Sequence, residues 1–321
     1  MKRIPILLLA ASVLAASLTA CGSPAASSSS APPSSAPSSA FQGYTFTDDL
    51  GRTVTVEQPE RVAALIGSFA DVWCLAGGQS TLVAAAHDAW TSFDLGLSDT
   101  VADLGAVKEP NLEVLLAAQP DFILASCNTT ADLELESTFG SAGIPTAYFD
   151  IQSFDDYLNM LKICTDLTGC PENYETYGLQ VQEQVEASKA RQDGSAPTVL
   201  TIRATGSSCK VKGSQDFLLG EMLSDLGCVN VADSETSLLE ELSLESILAA
   251  DPDYIFVVLQ GSDATDAQET LEKTLLSNPA WGSLRAVQEG RFHTLEHSLY
   301  NLKPNARWGE AYEKLADILY P

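Results

Sequence analysis

The chain has 321 residues, 45% hydrophobic and 19% charged, with 43 acidic against 17 basic side chains and a formal charge of −26. That length suits one large domain or two lobes, and the apolar share supports a packed core, which excludes a wholly disordered chain. The acidity repels polyphosphate and leaves few cations to release counterions, which excludes nucleic-acid binding and favours a neutral or cationic partner.

Lys2 and Arg3 form a short positive start, and residues 4–16 are apolar over the length of a signal peptide. A bilayer-spanning helix takes about 20 apolar residues, so this stretch is too short to be one. Leu18, Thr19 and Ala20 before Cys21 resemble the bacterial lipobox, in which the cysteine is lipid-modified and becomes the first mature residue. The alternative is an ordinary secretory signal with an incidental cysteine. Residues 23–40 are almost wholly Ser, Ala and Pro. Such a segment buries too little surface to offset chain entropy and reads as a leash. The expected layout is a signal peptide over 1–20, a tether over 21–43 and a folded remainder of charge −28 after Lys2 and Arg3 are removed. Six further cysteines, Cys74, Cys127, Cys164, Cys170, Cys209 and Cys228, match no metal or redox spacing. Outside the membrane they are free to pair, so their connectivity stays open between disulfides and buried thiols.

Residues 111–126 and 243–258 are a repeat: eight of sixteen positions are identical without gaps, 132 residues apart. In each copy Asn111 or Ser243 can cap a helix, and Glu113 or Glu245 in the first turn complements the dipole. Pro120 or Pro252 stops the helix, and a short apolar run then reads as a buried strand. Two such units predict two similar lobes. The expected fold class is α/β: two Rossmann-like lobes, 44–170 and 194–321, joined by one long rigid helix over 171–193, with a ligand cleft between them. Ser153 caps a helix that ends near Gly169, and Pro171 opens the connecting helix, along which Tyr174, Tyr177, Val181 and Val185 recur at helical intervals. The turn at 193–197 precedes the first strand of the second lobe.

Several segments, in this order, carry a resemblance. They are the lipobox-like start, Asp49-Leu50-Gly51-Arg52, Pro59-Glu60-Arg61-Val62, and Leu112-Glu113 with Pro120-Asp121. Then come Gly213-Ser214-Gln215-Asp216-Phe217, Leu244-Glu245 with Pro252-Asp253, Asn278-Pro279-Ala280-Trp281, and residues 286–291. The chain from about residue 44 thereby resembles the helical-backbone substrate-binding proteins of ABC importers, which carry ferric siderophores, haem and cobalamin. The resemblance implies a ligand held between the lobes and a connecting helix that resists large closure. It also implies partners: a permease dimer with its ATPase, whose arginines receive one glutamate from each lobe. Glu113 and Glu245 match those positions. Pairing with the helix dipole accounts for either one alone.

In α/β clefts the ligand site lies at loops leaving the strands. The first lobe offers Ser68, Phe69, His87, Trp90 and Asn128, and the second offers Arg203, Lys210, Lys212, Gln260, His297 and Tyr300. Trp90 and Tyr300 present flat faces to a macrocycle or catecholate, or else cover local core. Arg203, Lys210 and Lys212 form a positive spot suited to a ferric catecholate or a propionate, or else are solvated loop charges. His87, His297 and Tyr300 are candidate axial ligands if the ligand is haem. Zinc delivery is disfavoured, because three histidines and no His-rich loop are present.

His293-Thr294-Leu295-Glu296-His297 matches the inverted zinc-protease pattern. That pattern works on a helix, whereas residues 291–295 read as a strand, on which positions four apart lie about 13 Å from each other. The expectation is therefore a non-enzymatic, lipid-anchored, monomeric binding protein facing outward, with no cofactor of its own. Its cargo would be an iron-siderophore, with haem or a cobamide as alternatives in the same class. A surface zinc enzyme is the reading from another class.

Overall fold

The computed structural model describes residues 43–215, 217–261 and 264–321. The signal peptide, Cys21, the Ser/Ala/Pro tether and Asp216 lie outside the described residues.

The described chain opens with an antiparallel hairpin, β1 (Tyr44–Thr47) and β2 (Thr53–Val56). Gly51 turns it at φ 76°, a left-handed conformation that favours glycine. Arg52 forks onto the buried Asp48 carboxylate and reaches Glu136 and the Thr146 carbonyl, its guanidinium 4.6 Å above the Tyr148 ring. The Asp-Leu-Gly-Arg segment thus fastens the hairpin to the first lobe.

The first lobe holds a five-stranded parallel sheet: β3 (Val62–Ala64), β4 (Leu82–Ala85), β5 (Ala102–Asp103), β6 (Phe122–Ser126) and β7 (Thr146–Phe149), in the order β5-β4-β3-β6-β7. The second contains β8 (Thr198–Ala204), β9 (Cys209–Lys212), β10 (Val229–Asn230), β11 (Tyr254–Leu259) and β12 (Phe292–Leu295). Its parallel strands run β10-β8-β11-β12, and β9 pairs antiparallel with the end of β8. Both lobes are doubly wound α/β units.

The repeat has a physical explanation. Asn111 accepts the Val114 N–H at 3.1 Å to cap helix Leu112–Ala117, and Ser243 accepts the Ser246 N–H at 3.2 Å to cap helix Leu244–Ala250. Each helix exits through a left-handed residue, Gln119 at φ 49° and Asp251 at φ 39°, just before its proline. The next residue ties two neighbouring strands together at their starts. Asp121 accepts the Glu60 and Arg61 N–H groups ahead of β3, at 2.9 and 3.0 Å. Asp253 accepts the Thr198 N–H and hydroxyl at the start of β8, at 2.8 and 2.7 Å. The shared Pro-Asp therefore serves as a strand clamp in each lobe.

Helix Phe154–Thr168 starts with a Ser153/Asp156 capping box and ends at Gly169, φ 72°. Pro171 begins the connection as Pro171–Tyr174, which passes through a π-turn over Glu175–Leu179 into Gln180–Lys189. Nineteen helical residues span about 28 Å. The helix stops at Lys189 with Ala190 as its C-cap, earlier than the 193 expected from the turn residues.

Three apolar clusters fill the fold. One lies on the outer side of each sheet. The third is continuous: it joins Phe69 and Phe149 of the first lobe, Tyr157, Val185 of the connecting helix, Val199 and Phe256 of the second lobe, and Trp308 and Tyr312 of the C-terminal helix Trp308–Leu319. Large lobe rotation would open this cluster to water at about 25 cal/mol per Å². The C-terminal helix approaches the connecting helix closely at Gly309, where a Cβ would lie 2.0 Å from the Gln184 side-chain oxygen and 2.7 Å from its Cβ.

Candidate functional site

In open parallel sheets ligands bind beyond the carboxyl ends of the strands, where the strand order reverses. That reversal falls between β3 and β6 in the first lobe and between β8 and β11 in the second. The segment following β12 crosses to the first lobe. Lys303 donates its ammonium to the Ile151 carbonyl just after β7. Asn305 donates its amide to the Ser68 carbonyl at 2.9 Å and to the Asp71 carboxylate at 2.8 Å. Asn305 is fully buried at φ 50°, a conformation Asn tolerates better than most residues.

The strand ends are stitched in pairs. His87, after β4, places Nδ1 2.7 Å from Asp103 on β5. Burial pushes the Asp103 carboxyl up, but the Gly105 N–H and the His87 ring more than offset it and hold it below its ordinary value. Asn128, after β6, donates to Asp150 after β7. The Gln260 N–H donates to the Ala204 carbonyl at 2.7 Å, joining the ends of β11 and β8. His297 Nδ1 lies 2.8 Å from the Leu259 carbonyl. A carbonyl only accepts, so Nδ1 carries a proton, and in the neutral ring Nε2 is the lone-pair nitrogen.

Arg203 sits opposite Lys210 in the β8–β9 pairing, and Lys212 sits opposite Thr201. Side chains alternate along a strand, so all three cations share one face of this hairpin. Lys210 is exposed and Arg203 half-buried, and among the described residues neither makes an ion pair. Trp90 is half-buried against the central core.

Three expected ligand contacts are corrected. Phe69 and Tyr300 are each 1% exposed. Phe69 packs edge-on to Phe149, and the Tyr300 hydroxyl donates to the Ala311 carbonyl at 3.0 Å, so neither offers a face to a ligand or an oxygen to haem. Ser68 is also buried and contributes its backbone carbonyl to Asn305. The physical reason for Ser68 and Phe69 is an early helix start: β3 ends at Ala64 and the helix begins at Gly67, which turns 68–70 into the core, while Tyr300 is turned inward at the end of helix His297–Tyr300. Gly67 is needed there, because a Cβ would lie 2.6 Å from the Ala89 nitrogen.

Asp71, Lys303 and Asn305 were not picked out from the sequence. The Pro304-Asn305 pair, a proline followed by a residue tolerant of positive φ, was the signal available. Behind the β6 loop, Asp132 is fully buried and accepts the Ser126 N–H at 2.8 Å. Burial nevertheless pushes its carboxyl up to about 7, and its second oxygen has no protein partner.

The inverted zinc pattern is split across elements. His293 lies within β12, stacked 5.6 Å from Phe256 and 6.4 Å from Tyr254, whereas His297 begins the next helix. Among the described residues no three His, Cys, Asp or Glu side chains converge to hold a metal, and the six cysteines are free thiols. Glu113 and Glu245 are each the second residue of their helix, exposed, and without an ion pair among the described residues. No helix among the described residues is long and apolar enough to cross a membrane. A groove of about 810 Å³ lies within the second lobe beside β9 and β10 and includes Lys212.

The chain is similar to known proteins in family and fold. A family described as periplasmic binding protein matches residues 62–299. The iron-uptake system-binding protein of Bacillus subtilis (strain 168) is 26% identical over 223 residues, covering 68% of this chain and 67% of that protein. Staphylococcus aureus SirA complexed with staphyloferrin B superposes with a TM-score of 0.66 at 24% identity, covering 86% of this chain and 97% of that one. A periplasmic heme-binding protein from Pseudomonas aeruginosa gives 0.66 at 22% identity, covering 82% and 93%.

Proposed function

Because the chain belongs to the periplasmic binding protein family, whose members bind solutes and are not enzymes, we propose that it captures an iron-siderophore between its lobes and hands it to an ABC permease. The observation that carries the choice of ligand is the cationic face of Arg203, Lys210 and Lys212 at the end of β8, in a chain of charge −26. Carboxylate or catecholate oxygens on a ferric chelate are anionic and meet guanidinium and ammonium donors through charge-assisted bonds. Asn128 and Gln260 supply neutral donors on the opposing and adjoining strand ends. Iron travels as cargo, and the protein brings no cofactor of its own.

The continuous central core supports a cleft that changes little on loading. Recognition by the permease then rests on surface features present in both lobes. Glu113 and Glu245 suit that role, exposed at equivalent positions of the repeat. The acidic surface steers the protein towards a basic partner. Lipid attachment at Cys21 would hold it on the outer face of the membrane.

A second reading, haem, has one specific observation in its favour: the His297 tautomer leaves Nε2 as the lone-pair nitrogen, the form that ligates iron. Quenching of tryptophan fluorescence by ferric catecholate and hydroxamate siderophores, haem and cobalamin separates the readings. Submicromolar binding of haem or cobalamin alone would overturn the siderophore assignment. Charge reversal at Glu113 and Glu245 is expected to abolish uptake while leaving ligand affinity intact, and labelling with radioactive palmitate is expected to disappear in Cys21→Ser.

A further inference from the structure

A cavity of about 280 Å³ lies at the lobe junction, walled by Asp71, Leu75 and Phe93 from the first lobe and by Leu302, Lys303 and Pro304 from the second. It carries opposite charges that do not meet. Asp71 uses one carboxylate oxygen to accept from Asn305, and its other oxygen has no partner among the described residues. Lys303 gives one proton to the Ile151 carbonyl, feels the Asp150 and Asp156 carboxylates beyond ion-pair distance, and has two more protons to donate. No ion pair links Asp71 and Lys303. A third charge on the wall, Arg307, is already neutralised, since its guanidinium is spent on Glu310 at 2.7 Å, Glu296 at 3.1 Å and the Ser298 hydroxyl. The remaining lining is largely apolar.

Asp71 is the group left short of a counter-charge, and a partly desolvated carboxylate with an open oxygen facing an apolar cavity is unfavourable unless a cationic group meets it. The volume falls below the roughly 300–1,000 Å³ of pockets that enclose drug-sized ligands, so it suits an amino acid rather than a metal chelate. We propose that this cavity is a second binding site, distinct from the chelate cleft, for a small zwitterion with an apolar side chain, its ammonium on Asp71 and its carboxylate on Lys303. An occupant touches both lobes and stiffens the junction.

The test uses the mature protein without chelate, probed by calorimetry and thermal melting with L-valine, L-leucine and L-methionine. Two single-charge analogues of leucine, 3-methylbutylamine and 4-methylpentanoate, accompany them. The expected result is saturable binding with a raised Tm for at least one amino acid, and at least tenfold weaker binding of both analogues. Asp71→Asn retains an acceptor for Asn305 and should weaken binding at least tenfold. Lys303→Met should do the same, and Ala306→Phe, which fills the cavity, should abolish it. Should Lys303→Met fail to fold, Asp71→Asn and the analogues carry the test. The proposal is overturned if none of the amino acids binds, if a single-charge analogue binds as well as its parent, or if Asp71→Asn binds unchanged. Siderophore affinity is measured in parallel on the same variants, so failure here is separable from failure of the chelate assignment.

Discussion

Replacing Asn305 by alanine probes the junction that positions the two lobes. The side chain donates to the Ser68 carbonyl and to the Asp71 carboxylate from a fully buried position. Losing the neutral bond costs about 1 kcal/mol and the charged one about 2 kcal/mol. Alanine must also adopt φ 50°, a further cost of about 1 kcal/mol. Against this, the Asn305 side-chain oxygen is buried without a partner, and removing it returns about 1 kcal/mol. The net expectation for Asn305→Ala is a loss of about 3 kcal/mol, read as a lower urea midpoint at unchanged m-value. Asn305→Gly loses the same bonds without the steric cost and should be about 1 kcal/mol more stable than the alanine variant. Asn305→Asp places a second carboxylate against Asp71 and should be the least stable of the three. The reasoning is refuted if alanine matches the native protein within about 0.5 kcal/mol, or if glycine and alanine are indistinguishable.

Asp132 makes the native protein pH-sensitive. Its folded carboxyl titrates at about 7, above the unfolded value, so the folded state binds the extra proton and stability falls as pH rises through that window. A shift of roughly three pK units corresponds to about 4 kcal/mol, and Asp132→Asn should remove that slope in urea melts between pH 4 and about 7. A variant with the same slope as the native protein would contradict it. Arg203→Gln and Lys210→Gln should each weaken ferric catecholate binding about tenfold by fluorescence quenching, with little change in Tm; equal affinity would discard the cationic face as the ligand contact. Gly309→Ala should cost about 1–3 kcal/mol, because the added Cβ meets Gln184 across the two packed helices. Stability equal to the native protein would show that Gln184 moves aside freely.

Local patterns carried much of the architecture. Capping residues, proline stops and apolar runs are short-range signals, and the repeat doubled each of them, so two α/β lobes of one kind were legible before any coordinates. Its Pro-Asp pair reads as punctuation and is a clamp, because the Asp121 and Asp253 carboxylates accept hydrogen bonds from backbone N–H groups 55 to 61 positions away. The cationic hairpin was legible as three close charges; that they share a face depended on β9 turning back antiparallel onto β8. Strand-end reasoning went astray at Phe69 and Tyr300, because helices Gly67–Leu75 and His297–Tyr300 occupy those strand exits and turn both rings into the core.

By itself the sequence determined the two helix-Pro-Asp-strand units, the capped helix ending at Gly169 and the start of the connecting helix at Pro171, because these follow from spacing along the chain, and its ordered motifs carried the family resemblance. Only the tertiary structure decided what lies between the lobes. Lys303, Asn305 and Asp71 come together from positions more than 230 residues apart, and no periodicity records that Asn305 spans to Asp71 or that Asp71 and Lys303 share a cavity without pairing. Burial and charge pairing there depend on how two separately wound sheets are held by one continuous core.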